Sequence, residues 1–150
     1  MGDNHKYGNS TIPELARDLA RDGDLSVSEA EVTRLGSRAE LYPRLTNDDL
    51  WRLAGALHDR ADGAYADTER EKADADRHFM SLRRDALDVE AEIDRRASEA
   101  YAHLTDDELR SRFNDLSITR DSLSSTDGAR PAIAHRWAEA ARALMQRHPK

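Results

Sequence analysis

Residues 67–100, DTEREKADADRHFMSLRRDALDVEAEIDRRASEA, contain neither glycine nor proline, and this unbroken stretch constrains the chain more than any other. Glycine and proline are the strongest helix breakers. Within the stretch, Ala75, Phe79, Leu82, Ala86, Val89 and Ile93 recur at alternating steps of four and three. That period predicts one helix with an apolar stripe along one face. At ~1.5 Å per residue the helix would run about 50 Å, roughly twice the length of its predicted neighbours. Part of it must then project past the bundle or find another surface. Either the stripe lies on other helices of the same chain, or it seats another protein or a second copy as a homodimer. Phe79, Leu82, Val89 and Ile93 are the partner-binding candidates on it. It falls short of the three to four heptads that define a coiled coil.

The composition agrees with long solvated helices: charged residues make up 35% of the chain and aromatic residues 5%. Acidic residues outnumber basic ones, 30 to 23, and the net charge of −7 argues against a broad grip on a phosphate backbone. The chain has no cysteine, so thiol catalysis, thiolate metal sites and disulfides are excluded. No apolar run approaches the ~20 residues of a membrane span. The opening residues, MGDNHKYGNS, lack the apolar segment of a secretory signal. A cytoplasmic protein without membrane contact is expected.

Residues 1–10 show no apolar period and read as a flexible terminus. Residues 11–41 read as a helix-turn-helix-like pair. Its first helix starts at Thr11 with Pro13 in the first turn, turns inward Leu15, Ala16 and Leu19, and ends at Gly23. The second starts at Ser26 or Ser28 with Glu29 or Glu31 in the capping role, buries Val32 and Leu35, and stops by Gly36 and Pro43.

Residues 42–150 read as a bundle of helical hairpins with an internal repeat, 42–100 and 101–148. YPRLTNDDLWRLAGAL, from Tyr42, aligns with YAHLTDDELRSRFNDL, from Tyr101, at a spacing of 59 residues. The heart of the match is a helix start, Thr46 with Asp49 and Thr105 with Glu108. Each puts a hydroxyl at the cap and an acid in the first turn, where the helix dipole favours negative charge. Duplication and a shared way of starting helices both account for it. Each short helix feeds a return helix. In the second copy this begins at Pro131 and places Ile133, Trp137, Ala141, Leu144 and Met145 on one face. The expected fold is all-α: two antiparallel helical hairpins, one with an overlong helix, plus the short N-terminal pair.

Three patterns carry chemistry. In DLARDGDLSVSE, residues 18–29, Asp18, Asp22, Asp24, Ser26 and Glu29 fall near ligand positions of an EF-hand calcium loop, with Gly23 at the turn. Ala20 stands where the third position should supply an oxygen, and no second loop follows. The site is incomplete, and a plain helix corner also fits.

The same region fits a helix-turn-helix in which Arg34, Ser37 and Arg38 would face DNA. However, its turn is about six residues too long for the compact form, and Glu29 and Glu31 would repel phosphate. Histidine–carboxylate pairs four apart (His58 with Asp62, Asp74 with His78, His103 with Asp107) share helix faces, but none forms a metal-binding run. They read as surface pairs, and no cofactor is implied. Trp51, beside Leu50, Leu53 and Leu57, is either core or a binding anchor.

With no catalytic signature, the reading is a non-enzymatic interaction, adaptor or regulatory protein. The alternative is a DNA-associated regulator.

Overall fold

The computed structural model describes residues 12–63 and 72–148. The expected loose terminus, the Thr11 cap and the start of the long helix at 67–71 lie outside these. Among the described residues there are seven α-helices, one 3₁₀ turn and no strand, so the fold is all-α. The chain divides into two compact units, one up to Ala91 and one from Glu92.

The first unit opens with α1 (Ile12–Arg21), which buries Ile12, Leu15 and Ala16. Gly23 has φ 82°, and the amides of Asp24 and Gly23 reach back to the carbonyls of Leu19 and Ala20 at 2.8 and 3.1 Å. This paired closure suits glycine because a Cβ is strained at positive φ. Helix α2 (Glu29–Leu35) starts as the sequence implies, with the Ser28 hydroxyl accepting from the Glu31 amide at 3.1 Å, and it stops at Gly36. The chain does not then pass directly to the next long helix. Ser37 caps a further single turn, α3 (Arg38–Leu41), and Pro43 sits in a 3₁₀ turn, Tyr42–Arg44.

Helix α4 (Asn47–Gly63) buries Leu50, Leu53, Ala54, Leu57 and Ala61. The N-terminal pair is not a separate body: α1 packs on α2, α3 and α4 within one unit. Helix α5 (Lys72–Tyr101) is the long helix of 30 residues. Its residues 72–91 belong to the first unit, where Leu82, Ala86 and Val89 are buried.

The second unit comprises residues 92–101 of α5, α6 (Asp106–Ser122) and α7 (Arg130–Arg147), with α6 and α7 packed as a hairpin. Ala97, Tyr101, Leu109, Ala140 and Ala143 form its core, and Leu104, Phe113, Leu116 and Leu144 pack against them. Two arginines of α7 tie it to α5: Arg142 to the Asp94 carboxylate at 2.8 Å, and Arg147 to the Tyr101 carbonyl at 2.6 Å. The division between units thus falls inside the long helix, between Ala91 and Glu92. Among the described residues no helix is long and apolar enough to cross a membrane.

Candidate functional site

The incomplete calcium loop is a corner. Helix α1 already includes Asp18, so the first half of the loop is helical and cannot wrap a cation. Its oxygens are also taken. Asp18 meets Arg21 at 3.3 Å and Arg60 at 3.2 Å, and Glu29 meets Arg21 at 3.0 Å. The Asp24 carbonyl accepts from Arg52 at 3.1 Å. Ser26 is bound through its amide and its hydroxyl to Asp49, at 3.0 and 2.5 Å. Asp22 is exposed. Among the described residues no three histidine or carboxylate side chains are grouped to hold a metal ion. The calcium reading is corrected accordingly: the guanidinium groups supply the positive charge that a calcium ion would have brought.

The three DNA-facing candidates are dispersed. Arg34 is exposed and lies 3.9 Å from Glu31. Ser37 caps α3 and donates to Glu40. Arg38 pairs with Asp88 at 3.0 Å, and the Tyr42 hydroxyl donates to the same carboxylate at 2.6 Å. Burial opposes the Arg38 charge, but Asp88 outweighs it and holds the guanidinium above its ordinary value. Burial, then the bond to Asp88, pushes the Tyr42 phenol far above the usual tyrosine range.

The partner-binding stripe is spent inside the chain. Leu82, Val89 and Ile93 are each no more than 1% exposed, so they cannot contact a partner, and their assignment to an unspent stripe is corrected. Phe79 and Trp51 are half-buried. The histidine pairing also differs from the local spacing: His58 meets Glu90 across helices at 2.6 Å.

Large apolar side chains that face outward are Ile118 and Met145 in the second unit, 67% and 69% exposed, and two on the opposite side of α5 in the first unit. Met80 is 59% exposed and Leu87 56%. Seven residues apart on a helix, they lie one above the other. Arg77, Arg83, Arg84 and Ala91, all exposed, fall on the same side. Among the described residues, neither Arg83 nor Arg84 takes part in an ion pair. A shallow depression of about 340 Å³ is lined here by Asp76, Arg77, Met80, Ser81 and Arg84. No protein-family model, curated protein or solved structure matches this chain.

The sequence reading missed Met80 and Leu87 because it followed the dominant stripe. The signal was available: once positions 79, 82, 86, 89 and 93 are assigned to the core, any large apolar residue half a turn away must face solvent.

In the second unit, Trp137 packs on Phe113 with ring centroids 5.5 Å apart, and the Arg120 guanidinium lies 4.1 Å over its ring. Its Nε1–H is buried and has no hydrogen-bond acceptor among the described residues. Beside it runs an open groove of about 560 Å³ lined by Asp94, Trp137, Ala138, Ala141, Arg142 and Met145 among others. At the far end of α7, Arg147 and His148 reach Asp106 at 3.0 and 2.8 Å. Hydrogen bonds from Arg147, then His148, hold the Asp106 carboxyl below its usual range. Bonds to Arg95 and Arg96 do the same for Glu92, against the opposing effect of burial. Glu108 is lowered first by the Thr105 amide, which it caps.

Proposed function

We propose that this chain is a non-enzymatic, cytoplasmic interaction protein that engages another protein through the outward face of α5. The observation that carries the reading is the pair Met80 and Leu87, each more than half exposed and stacked on the side of the helix away from its core. Large apolar side chains grouped on a helix face are what a helix-in-groove or helix-on-helix partner recognises.

The test is capture from host lysate by the tagged wild-type chain and by the double variant Met80→Asp plus Leu87→Asp, with circular dichroism confirming that both are folded. A partner retained by the first and lost by the second supports the reading. An identical set of captured proteins, or none, refutes it. DNA-associated regulation has weaker support, since only Arg34 of its three residues offers an exposed side chain with no close bond, and that residue sits on a helix of seven residues.

A further inference from the structure

We infer that the occupant of the α5 face is an acidic amphipathic helix of a different protein, not a second copy of this chain. The inference rests on the interaction reading above and adds the chemistry of the partner.

The face has an apolar centre, Met80 and Leu87, with Arg77 and Arg84 along one flank and Arg83 along the other. Asp76 contributes a single negative charge at its N-terminal end. Among the described residues Arg83 and Arg84 are exposed and have no carboxylate partner, as is also true of Arg110 and Arg112 on α6; what distinguishes Arg83 and Arg84 is that they border exposed Met80 and Leu87. Unspent positive charge bordering unspent apolar surface matches a helix with leucine-like residues on one stripe and glutamate or aspartate beside them.

The same charges exclude self-association through this face. A symmetric dimer uses one patch on both subunits. In an antiparallel pairing, the register that seats Met80 on the copy's Leu87 and Leu87 on the copy's Met80 is centred between residues 83 and 84. Arg83 then lies opposite the copy's Arg84. A parallel pairing sets the same arginines side by side. Either way, like charges meet at the centre of the contact, which is unfavourable.

A nucleic-acid backbone fits less well. Its charges repeat every ~1.7 Å along the duplex and call for an extended basic surface, and it would leave Met80 and Leu87 uncovered. The net charge of −7 repels an acidic partner elsewhere on the molecule. Screening over about 10 Å at ordinary salt leaves the attraction of Arg83 and Arg84 dominant locally, so an acidic helix is directed to this face.

The experiment uses the full chain and a fluorescein-labelled synthetic helix of about 18 residues, long enough to be helical when docked. It carries leucine at one helical stripe and glutamate on both flanks. Two control peptides carry lysine for glutamate, or serine for leucine. Fluorescence anisotropy is read at ~50 mM and ~300 mM salt. The expected result is saturable binding of the acidic peptide alone, weakened by salt. Binding should fall at least about tenfold in Arg83→Gln plus Arg84→Gln and in Met80→Ser plus Leu87→Ser. All four substituted side chains are exposed, and thermal unfolding checks that the variants remain folded.

Absence of saturable binding, equal binding of the lysine peptide, or indifference to the arginine substitutions overturns the inference. So does tighter binding of duplex DNA or of phosphatidylserine vesicles through the same arginines. A dimer seen in sedimentation and abolished by Met80→Ser plus Leu87→Ser overturns it in favour of self-association. If the acidic peptide fails while Met80- and Leu87-dependent capture from lysate persists, the acidic partner is wrong and the interaction reading stands. If capture fails as well, both fall.

Discussion

Replacing Asp49 by alanine is expected to be among the most damaging single changes in the first unit. The side chain is 1% exposed and accepts three hydrogen bonds: from the Ser26 amide at 3.0 Å, the Ser26 hydroxyl at 2.5 Å and the Thr46 amide at 3.0 Å. It therefore closes the start of α4 and fastens the corner after α1 to it. Net, a hydrogen bond to an ionised group contributes about 1.5–3 kcal/mol. Three such bonds sharing one carboxylate do not add, and Ser26 and Thr46 are exposed enough for water to replace part of what they lose.

The expected loss is therefore about 3–4 kcal/mol for Asp49→Ala. Asp49→Asn keeps one acceptor oxygen but turns an amide N–H₂ toward a donor, and should cost about 1–2 kcal/mol. Urea unfolding in a Trp137→Phe background isolates the first unit, because Trp51 on α4 is then the one remaining tryptophan. A loss below about 1 kcal/mol for Asp49→Ala would show that solvent satisfies these donors and that the corner is not fastened. The control is Glu108→Gln in a Trp51→Phe background, where Trp137 reports the second unit; it alters the equivalent capping acid where it is exposed and should shift that unit's midpoint by clearly less.

Tyr42→Phe removes the donor to Asp88 but leaves Arg38 on that carboxylate, so a loss of about 1 kcal/mol is expected in the same assay. Because the folded pKa of Tyr42 is raised, its contribution is fully present below the ordinary phenol value near 10 and is lost as pH rises through the higher folded value. Ultraviolet difference titration against Tyr42→Phe reads this directly, and a phenol ionising at the ordinary value contradicts it. For Asp106 the sign reverses. A depressed carboxyl stabilises the fold above its unfolded pKa, and that stabilisation disappears as pH falls through the folded one. Carboxyl NMR titration should find its midpoint below the usual 3.8, with Arg147→Ala moving it back up; no movement would mean that Arg147 is not the cause.

The features legible in the sequence are those decided within a few residues. Ser28 with Glu31, Thr105 with Glu108 and the glycine closures at Gly23 and Gly36 all depend on local backbone geometry, and each occurs where its pattern stands. The 30 residues of α5 follow from the lack of breakers. The short α3 turn was not legible, because Ser37 with Glu40 is a capping pair with no apolar period after it. Periodicity revealed that α5 has a core face but not which surface covers it, so Leu82, Val89 and Ile93 could be taken for partner contacts. His58 lies four residues from Asp62, yet it bonds Glu90, thirty-two residues away, because helix packing outranks a weak surface pair.

The two similar helix starts show where local reading ends. Thr46 with Asp49 and Thr105 with Glu108 close their first turns in the same way, and Leu50 and Leu109, at matching positions, are both fully buried. Beyond that the environments part. In the first unit the capping acid itself is buried, because Ser26 arrives from the preceding corner and binds it. In the second unit the capping acid stays in solvent, and the helix start is tied instead through its neighbour Asp106, by Arg147 and His148 at the end of α7. A shorter Asp where the start is covered and a longer Glu where it is open fit those two settings. The residues that match between the copies are the ones a capped amphipathic helix requires in any case, while the tertiary contacts around them differ. The resemblance of 42–57 to 101–116 therefore fits duplication and a shared way of starting helices alike.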